Sequence, residues 1–457
     1  TNYYNIKFIY KHYFKIFFYK LQISSDVFTA GVVGMVIMTA AIPFVLRRVH
    51  PFSSRIPSHQ SRTIQKSRKD AEFRILTCLH SSRHVSAIIN LLDSSHPSPR
   101  SPLLVSAIHL LELTGRNSSM LIFHTTGKNP APHSHRNPNT DEIIAAFESY
   151  SSAKDGIAVI HPMTLLSPYS TMHEDICSVA EDKQATLIIL PFHKSPSPSG
   201  TLEDNDDAVQ LRAVNLNVLS NAPCTVAIFV DKLFGNITHH KNIAMIFLGG
   251  PDDREALAYA SRMAEASTTS LTLIRISLGD DVEGFAPSEM PAGDAQRLLT
   301  SASYVDRQRR LDDNSVREFV AKFGGSAGFL ERHVNNEEEA IGVLRETEGE
   351  YDMYVVGKGE GVVSPLMTGL MDWCEFQELG AIGDLLVTSS FAQRGSVLVV
   401  QQYAGAGDLA HLIAEEDGAI CSWERGRTLE DDGRTEMQPF TRGSKSNSDV
   451  DGMEKGF

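Results

Sequence analysis

Five consecutive residues, Gly357-Lys358-Gly359-Glu360-Gly361, form the strongest candidate for ligand chemistry in this sequence. Successive backbone amides of such a loop can cradle a phosphate, with Lys358 as the counter-charge. The plainer reading is a turn that needs positive φ. A second glycine-rich turn, Gly249-Gly250-Pro251-Asp252-Asp253, also offers amides, but two carboxylates follow at once. Acids at a helix N-terminus complement its dipole and repel a phosphate, so this turn reads first as a cap. Asp252 or Asp253 could instead receive an arginine at a domain interface. Gly249, Gly250, Gly357, Lys358 and Gly359 are therefore the candidate ligand-binding residues. They leave a nucleotide as the one cofactor to consider.

Histidine is the other concentrated resource. Ten of the 17 histidines fall between 80 and 193. Imidazole titrates near physiological pH, which suits it to sensing. His80, His84 and His193 sit at predicted strand ends, where neighbouring loops can bring them together, and are the pH-sensing candidates. His133 and His135 have no third ligand nearby, so no metal is expected. The five cysteines (78, 177, 224, 374 and 421) show no C-x-x-C pair, which fits a reducing compartment without disulfides or zinc. The one G-x-S-x-G string, Gly324–Gly328, runs from a helical pattern into a strand, the reverse of a nucleophile elbow. No catalytic residue is assigned, and no enzyme is expected.

These residues must be positioned by a regular framework. Short β-rich runs alternate with amphipathic helical stretches from residue 73 onward. Strands are predicted at 73–79, 103–110, 157–161, 186–190 and 225–230. A second set is predicted at 242–248, 271–276, 328–334, 352–356 and 397–401. Helical patterns lie between them, with a capping box at Thr171-Met172-His173-Glu174 marking one start. The first, fourth and fifth strands recur after 169, about 166 and 172 residues, which implies two copies of one five-stranded unit. Near-continuous apolar strands separated by helices imply parallel sheets covered on both faces. The expected fold is α/β, two tandem doubly wound domains side by side at 73–232 and 242–403, joined by a linker at 233–241.

Charge divides the chain differently. Overall, 56 acids against 42 bases give a net charge of -14, which argues against a nucleic-acid partner. Residues 1–69 nevertheless hold eleven Lys/Arg and one acid. Inside that basic region, 27–46 runs without a charge over about 30 Å of helix, the thickness of a bilayer core. A basic linker at 47–72 follows, as on the cytoplasmic flank of a membrane helix. Residues 1–26 are atypical, with nine Tyr or Phe among the first 22, and suggest a gene-model artefact. The tail at 404–457, with 12 acids and 6 bases, is expected to be disordered.

Several strings resemble the plant cation/H+ exchangers of the monovalent cation:proton antiporter group. They are HPSPRSPLLVSAIHLLELTGRNSSMLIFH (96–124), SPYSTMHEDICSVAEDKQATLIILPFHK (167–194), NLNVLSNAPCTVAIFVD (215–231), FLGGPDDREALAYASRMA (247–264) and SVLVVQQY (396–403). The resemblance covers roughly 27–403. It implies the last membrane helix of such an exchanger and a cytoplasmic half built from two domains like universal stress proteins. It also implies K+ and H+ as the transported ions of the family, a transport bundle as partner, and an endomembrane or plasma-membrane location. Intramembrane acids do the exchange in such antiporters. The segment 27–46 contains none, so a regulatory role is expected, in a homodimer that senses a signal. Nucleotide-binding universal stress proteins carry a G-x2-G-x9-G-[ST] pattern at this place, from which the chain departs, with Glu360 where their second glycine belongs and no matching G-[ST] after it. The alternative is an independent tandem module that binds a ligand or nucleotide.

Overall fold

The computed structural model describes residues 33–35, 62–68, 70–114, 119–124, 138–196, 202–204, 207–232, 241–266, 268–278, 295–359, 374–389 and 395–403. The atypical segment 1–26, the tail 404–457 and most of the stretches 27–46, 47–72 and 233–241 therefore lie outside the described residues. Of the expected membrane span, only residues 33–35 are described, and they are helical. Among the described residues, no helix is long and apolar enough to cross a membrane.

All ten predicted strands are present. The first repeat supplies β1 (Phe73–Leu79), β2 (Leu103–Glu112), β3 (Met120–Phe123), β4 (Ala158–Ser167), β5 (Leu187–Pro191), a small hairpin of β6 (Lys194–Pro196) with β7 (Leu202–Asp204), and β8 (Thr225–Val230). The second supplies β9 (Asn242–Phe247), β10 (Ser270–Leu278), β11 (Gly328–Val334), β12 (Met353–Gly357) and β13 (Ser396–Gln401). Their helices are α1 (Val85–Ser94), α2 (Pro138–Ala153), α3 (Tyr169–Asp182), α4 (Ala208–Asn221), α5 (Pro251–Met263), α6 (Ala295–Phe323), α7 (Glu337–Glu346) and α8 (Gly380–Thr388). The capping box at Thr171 is not used. Helix α3 starts earlier, behind Pro168, and Thr171 turns its hydroxyl toward Ser167 at 3.4 Å. A proline fixes the backbone before a helix without any side-chain cap.

In sheet order the strands run β11-β10-β9-β12-β13-β8-β5-β1-β2-β4-β3. Counted within each repeat, both halves read 3-2-1-4-5, the doubly wound order with its reversal between the first and fourth strands. The expectation of two separate sheets side by side is corrected here. The two fifth strands pair antiparallel, Val397 with Val230 and Val399 with Ile228, and close one eleven-stranded sheet. Every residue of β8 and β13 is buried, and an edge of that kind is not left open to water. Register also trims the repeat. Ile75 pairs Leu187 where Ile243 pairs Met353, and Leu187 pairs Thr225 where Met353 pairs Ser396. The first- and fifth-strand offsets are thus 168 and 171, each one residue shorter than predicted strand starts suggested.

Alternate residues of each strand feed two cores, one on each face, as the two-residue period of a strand requires. Leu76, Ile188, Val226, Ala244 and Val397 lie in one, while Ile75, Leu187, Ala227, Ile243 and Leu398 lie in the other. Both cores run through both repeats. The pair is therefore one packing unit.

Candidate functional site

In a doubly wound sheet, ligands bind beyond the carboxyl ends of the strands where the order reverses. In the second repeat that place lies between β9 and β12, and it brings Gly249, Gly250 and Gly357 together. Gly249 and Gly250 have φ of 119° and 97°, open to glycine and strained for other residues. The cradle they help to form already holds an anion, the carboxylate of Asp253 in the first turn of α5. Its Oδ2 accepts hydrogen bonds from Leu248 N (2.7 Å) and Gly249 N (2.8 Å), and its Oδ1 from Gly357 N (2.9 Å). A Cβ on Gly357 would collide with that carboxylate. Burial raises the Asp253 carboxyl to about 7 against the pull of the three amides, with Asp252 adding to the rise.

The rest of the turn is equally committed. Gly250 N donates to Asp312 Oδ2 at 3.0 Å, and the other oxygen of Asp312 pairs with Arg254. Asp252 accepts from Gln402 N at 2.7 Å. Lys358 donates to Gln401 Oε1 at 3.1 Å. Gly359, with φ of 79°, closes the described part of this loop, and Glu360 and Gly361 lie outside the described residues.

The first repeat builds the same place from different residues. With the register above, Ser81 and Ser82 stand for Gly249 and Gly250, Val85 for Asp253, and Pro191 for Gly357. Proline has no N–H, so the amide that reaches across the crevice in the second repeat does not exist here. His80 and His84 come together, their rings edge to face with centroids 4.4 Å apart. Burial, with Arg83 nearby, holds His84 down to about 4. Burial first, then His84, holds His80 well below the usual imidazole range, opposed by a hydrogen bond to the Phe192 backbone. Beside them, a polar cleft of about 690 Å³ opens at the ends of β1 and β2.

His193 stays close enough to act on His80, and it also ties the first repeat to the second. Its Nδ1 lies 3.0 Å from Glu378 Oε1, both side chains buried. Arg212 of α4 reaches the other oxygen of Glu378 at 3.2 Å and donates to Glu375 O at 2.9 Å. Phe192 packs edge-on against Phe376 at 5.3 Å. Burial works to raise the Glu378 carboxyl, but the His193 bond, its own backbone amide and Arg212 together hold it below the ordinary value. On the other face, α5 carries two further ties between repeats. Glu255 accepts from Thr225 Oγ1 (2.7 Å) and Gln65 Nε2 (2.8 Å), while Arg262 donates to Ser95 O (2.9 Å) and Ser101 Oγ (2.7 Å). Sequence reasoning passed over Glu255, Arg262, Arg212 and Glu378. A signal existed for the first two, because they interrupt the apolar face of α5.

The described chain is thus a fused pair of doubly wound α/β units whose strand ends are furnished with side chains. The profile of the plant cation/H(+) antiporter domain matches residues 105–234, and that of the plant cation/H(+) antiporter C-terminal domain matches 240–401. The chain belongs to the plant cation/H(+) antiporter family. It is 42% identical over 393 residues to Cation/H(+) antiporter 15 of Arabidopsis thaliana, covering 84% of this chain and 47% of that protein. It is 36% identical to chloroplastic Cation/H(+) antiporter 23 of the same plant, over 94% of this chain and 51% of that protein. The chain spans about half the length of these curated relatives. Among solved structures, a universal stress protein from Archaeoglobus fulgidus DSM 4304 covers 71% of this chain and 97% of its own, at 12% identity and a TM-score of 0.36. That likeness carries no weight here, and the fold rests on the strand order itself.

Proposed function

We propose that this chain is the regulatory, cytoplasm-facing C-terminal part of a monovalent cation (K+)/H+ antiporter that serves potassium transport and pH homeostasis. The observation that carries the proposal is the match of both repeats, in order, to two domains of the family, the second of them its C-terminal domain. Exchange itself falls to the transport bundle of the full-length antiporter, in an endomembrane or plasma membrane, and the repeats do no catalysis. Because they share one sheet and both cores, a signal that shifts the first repeat must be felt by the second. Such a signal biases the bundle only if it prefers one of the bundle's states. A homodimer of antiporters would bring four repeats together at the membrane.

The test is K+-driven proton flux in vesicles holding a full-length antiporter whose C-terminal half is this chain, with and without residues 73–403. Exchange should persist without them while its dependence on cytoplasmic pH flattens. An unchanged pH profile would sink the reading. The second reading, an independent nucleotide-binding module, meets two obstacles in the same crevices, the carboxylate of Asp253 and the missing amide at Pro191. Measured ATP affinity of the isolated chain would revive it.

A further inference from the structure

A cavity of about 270 Å³ lies where α5, α6, the segment 64–68 and the start of β1 meet. Much of its lining is apolar, with Phe73, Leu257, Phe319 and Phe323 among the residues that form it. The segment is fixed there by Glu255, which accepts from Ile64 N and from Gln65 Nε2 at 2.8 Å. The cavity therefore touches both repeats and the residues that lead into them.

Its charges do not balance. Arg68, Arg254, Arg262 and Lys322 line it, against Glu265 and Glu318. Arg254 is answered by Asp312, and Lys322 by Glu265. Arg262 has no such answer. It is half-buried, with its guanidinium 4.7 Å from the centroid of Phe73. Three of its five N–H groups donate to neutral oxygens, Ser95 O, Ser101 Oγ and Ser101 O. Glu265 acts on it from a distance and is already held by Lys322. Arg68 is exposed, and among the described residues neither it nor Arg262 has a carboxylate within ion-pair distance. Taking a guanidinium out of water without a counter-ion is costly, and Arg262 bears that cost. A second unpaired guanidinium on the same cavity adds to the attraction for an anion.

Helix ends account for only part of this. Both α5 and α6 finish here, with Arg262 and Lys322 in their last turns, and a helix C-terminus favours a cation. That end carries roughly half a charge, and Arg68 belongs to neither helix. Of the lining acids, Glu318 is left, exposed on α6, against two guanidiniums.

We propose that this cavity binds a small organic carboxylate, its charge held by Arg68 and Arg262 and its apolar body laid against Phe73, Leu257, Phe319 and Phe323. An inorganic anion would leave the apolar wall unused, and a dianion would exceed the surplus charge. The volume is at the small end for ligand sites, which suits a body of about one aromatic ring. This gives a chemical class to the signal in the reading above, and rests on that reading only for its consequence in exchange. A chain that binds the acid while exchange ignores it would count against regulation and not against the site.

The probe is 3-phenylpropionate, titrated calorimetrically into the full chain at fixed ionic strength, because loose electrostatic attraction is screened by salt. One saturable site is expected. The alcohol 3-phenylpropan-1-ol, with the same body and no charge, should bind about tenfold more weakly or worse. Acetate, with the charge and no body, should give no saturable heat. Arg68→Gln changes an exposed side chain and should weaken binding about fivefold, the upper end for an exposed ion pair. Arg345→Gln, an equal change of charge at an exposed position on α7 outside the cavity, should leave affinity within about twofold. Ala258→Leu, at a half-buried position in the lining, takes up space without changing charge and should weaken binding about tenfold. Heat that fails to saturate, equal binding of the alcohol, or equal losses in Arg68→Gln and Arg345→Gln overturns the proposal. So does saturable binding that both Arg68→Gln and Ala258→Leu leave unchanged, which would place the acid elsewhere on the chain.

Discussion

The two repeats share a strand order and two cores, yet they finish their strand ends in opposite ways. In the second, the Asp253 carboxylate ties the end of β9, the start of α5 and the end of β12 into one knot. In the first, Val85 and Pro191 occupy the matching positions, the Arg83, His84 and Phe192 amides are used locally, and a polar cleft remains. A position suited to phosphate is closed twice by different means, once by supplying an acid and once by removing an amide. The scaffold thereby divides its labour. One end acts as a staple, and the other keeps an open polar cleft.

The largest effect should come from cutting the staple. Asp253→Ala leaves three amides without their acceptor, and each buried unsatisfied group costs about 1–3 kcal/mol. A loss of about 3 kcal/mol in urea unfolding at pH 7 is expected, allowing for relief of a carboxyl that burial disfavours. Asp253→Asn sharpens the point. A carboxyl raised in the fold from 3.8 to about 7 makes the native state lose stability as pH climbs through that window. Unfolding midpoints of the wild type and Asp253→Asn should therefore converge below about pH 3.8, separate in favour of the variant as pH rises toward 7, and stay a constant distance apart above it. Parallel curves would show that Asp253 does not titrate in the fold.

The comparison can also be broken by making the first repeat imitate the second. Val85→Asp places a carboxylate where Val85 is now buried, 5% exposed, and where no amide crosses from Pro191. A cost of about 3 kcal/mol is expected for the unanswered charge. Adding Pro191→Gly restores a donor at the end of β5 and should recover about 1 kcal/mol of that cost. Simple additivity of the two changes would mean that the crevices are not equivalent.

A smaller loss should follow at the seam between the repeats. Glu378→Ala removes the acceptor shared by His193 and Arg212, and about 2 kcal/mol is expected, since Arg212 is one-third exposed and screened. The sign of its pH dependence is the reverse of that for Asp253. A carboxyl held below its ordinary 4.5 stabilises the fold above that value and loses the contribution as pH falls through its folded pKa. The gap between wild type and Glu378→Gln should close below pH 4.5. A gap that widens there would assign the seam to packing alone.

Much of this framework was legible from residues alone. Apolar runs such as 225–230 and 243–247, bounded by polar turns, read as buried strands, so the repeat and the doubly wound class followed. Periodicity could not show that β8 and β13 pair with each other, because burial of both faces looks the same within one sheet or between two. Short elements escaped for a different reason. The edge strand β3 and helix α8 are set by tertiary contact more than by a strong local pattern. At the site, the glycine-rich stretches of the second repeat were legible as turns, and Gly249, Gly250 and Gly359 do take positive φ. Their occupant was not, because hydrogen bonding between residues 104 apart, as for Asp253 and Gly357, leaves no mark on local spacing.

The smallest effect separates a phosphate loop from a turn. If Lys358 served as a counter-charge to a bound phosphate, its loss would abolish that binding. In the structure its ammonium donates to the Gln401 side chain at 3.1 Å, and Gln401 in turn donates to Leu219 O at 3.1 Å across the seam. Lys358→Ala removes one half-buried hydrogen bond to a neutral partner, so a loss below about 1 kcal/mol is expected. Phosphate titrated into the wild type and the variant should give the same flat calorimetric trace, because Asp253 holds the cradle in both. Heat released in the wild type and lost in Lys358→Ala would mean that phosphate can displace the carboxylate. The staple of the second repeat would then be one that an anion can open, and the contrast with the open cleft of the first would narrow.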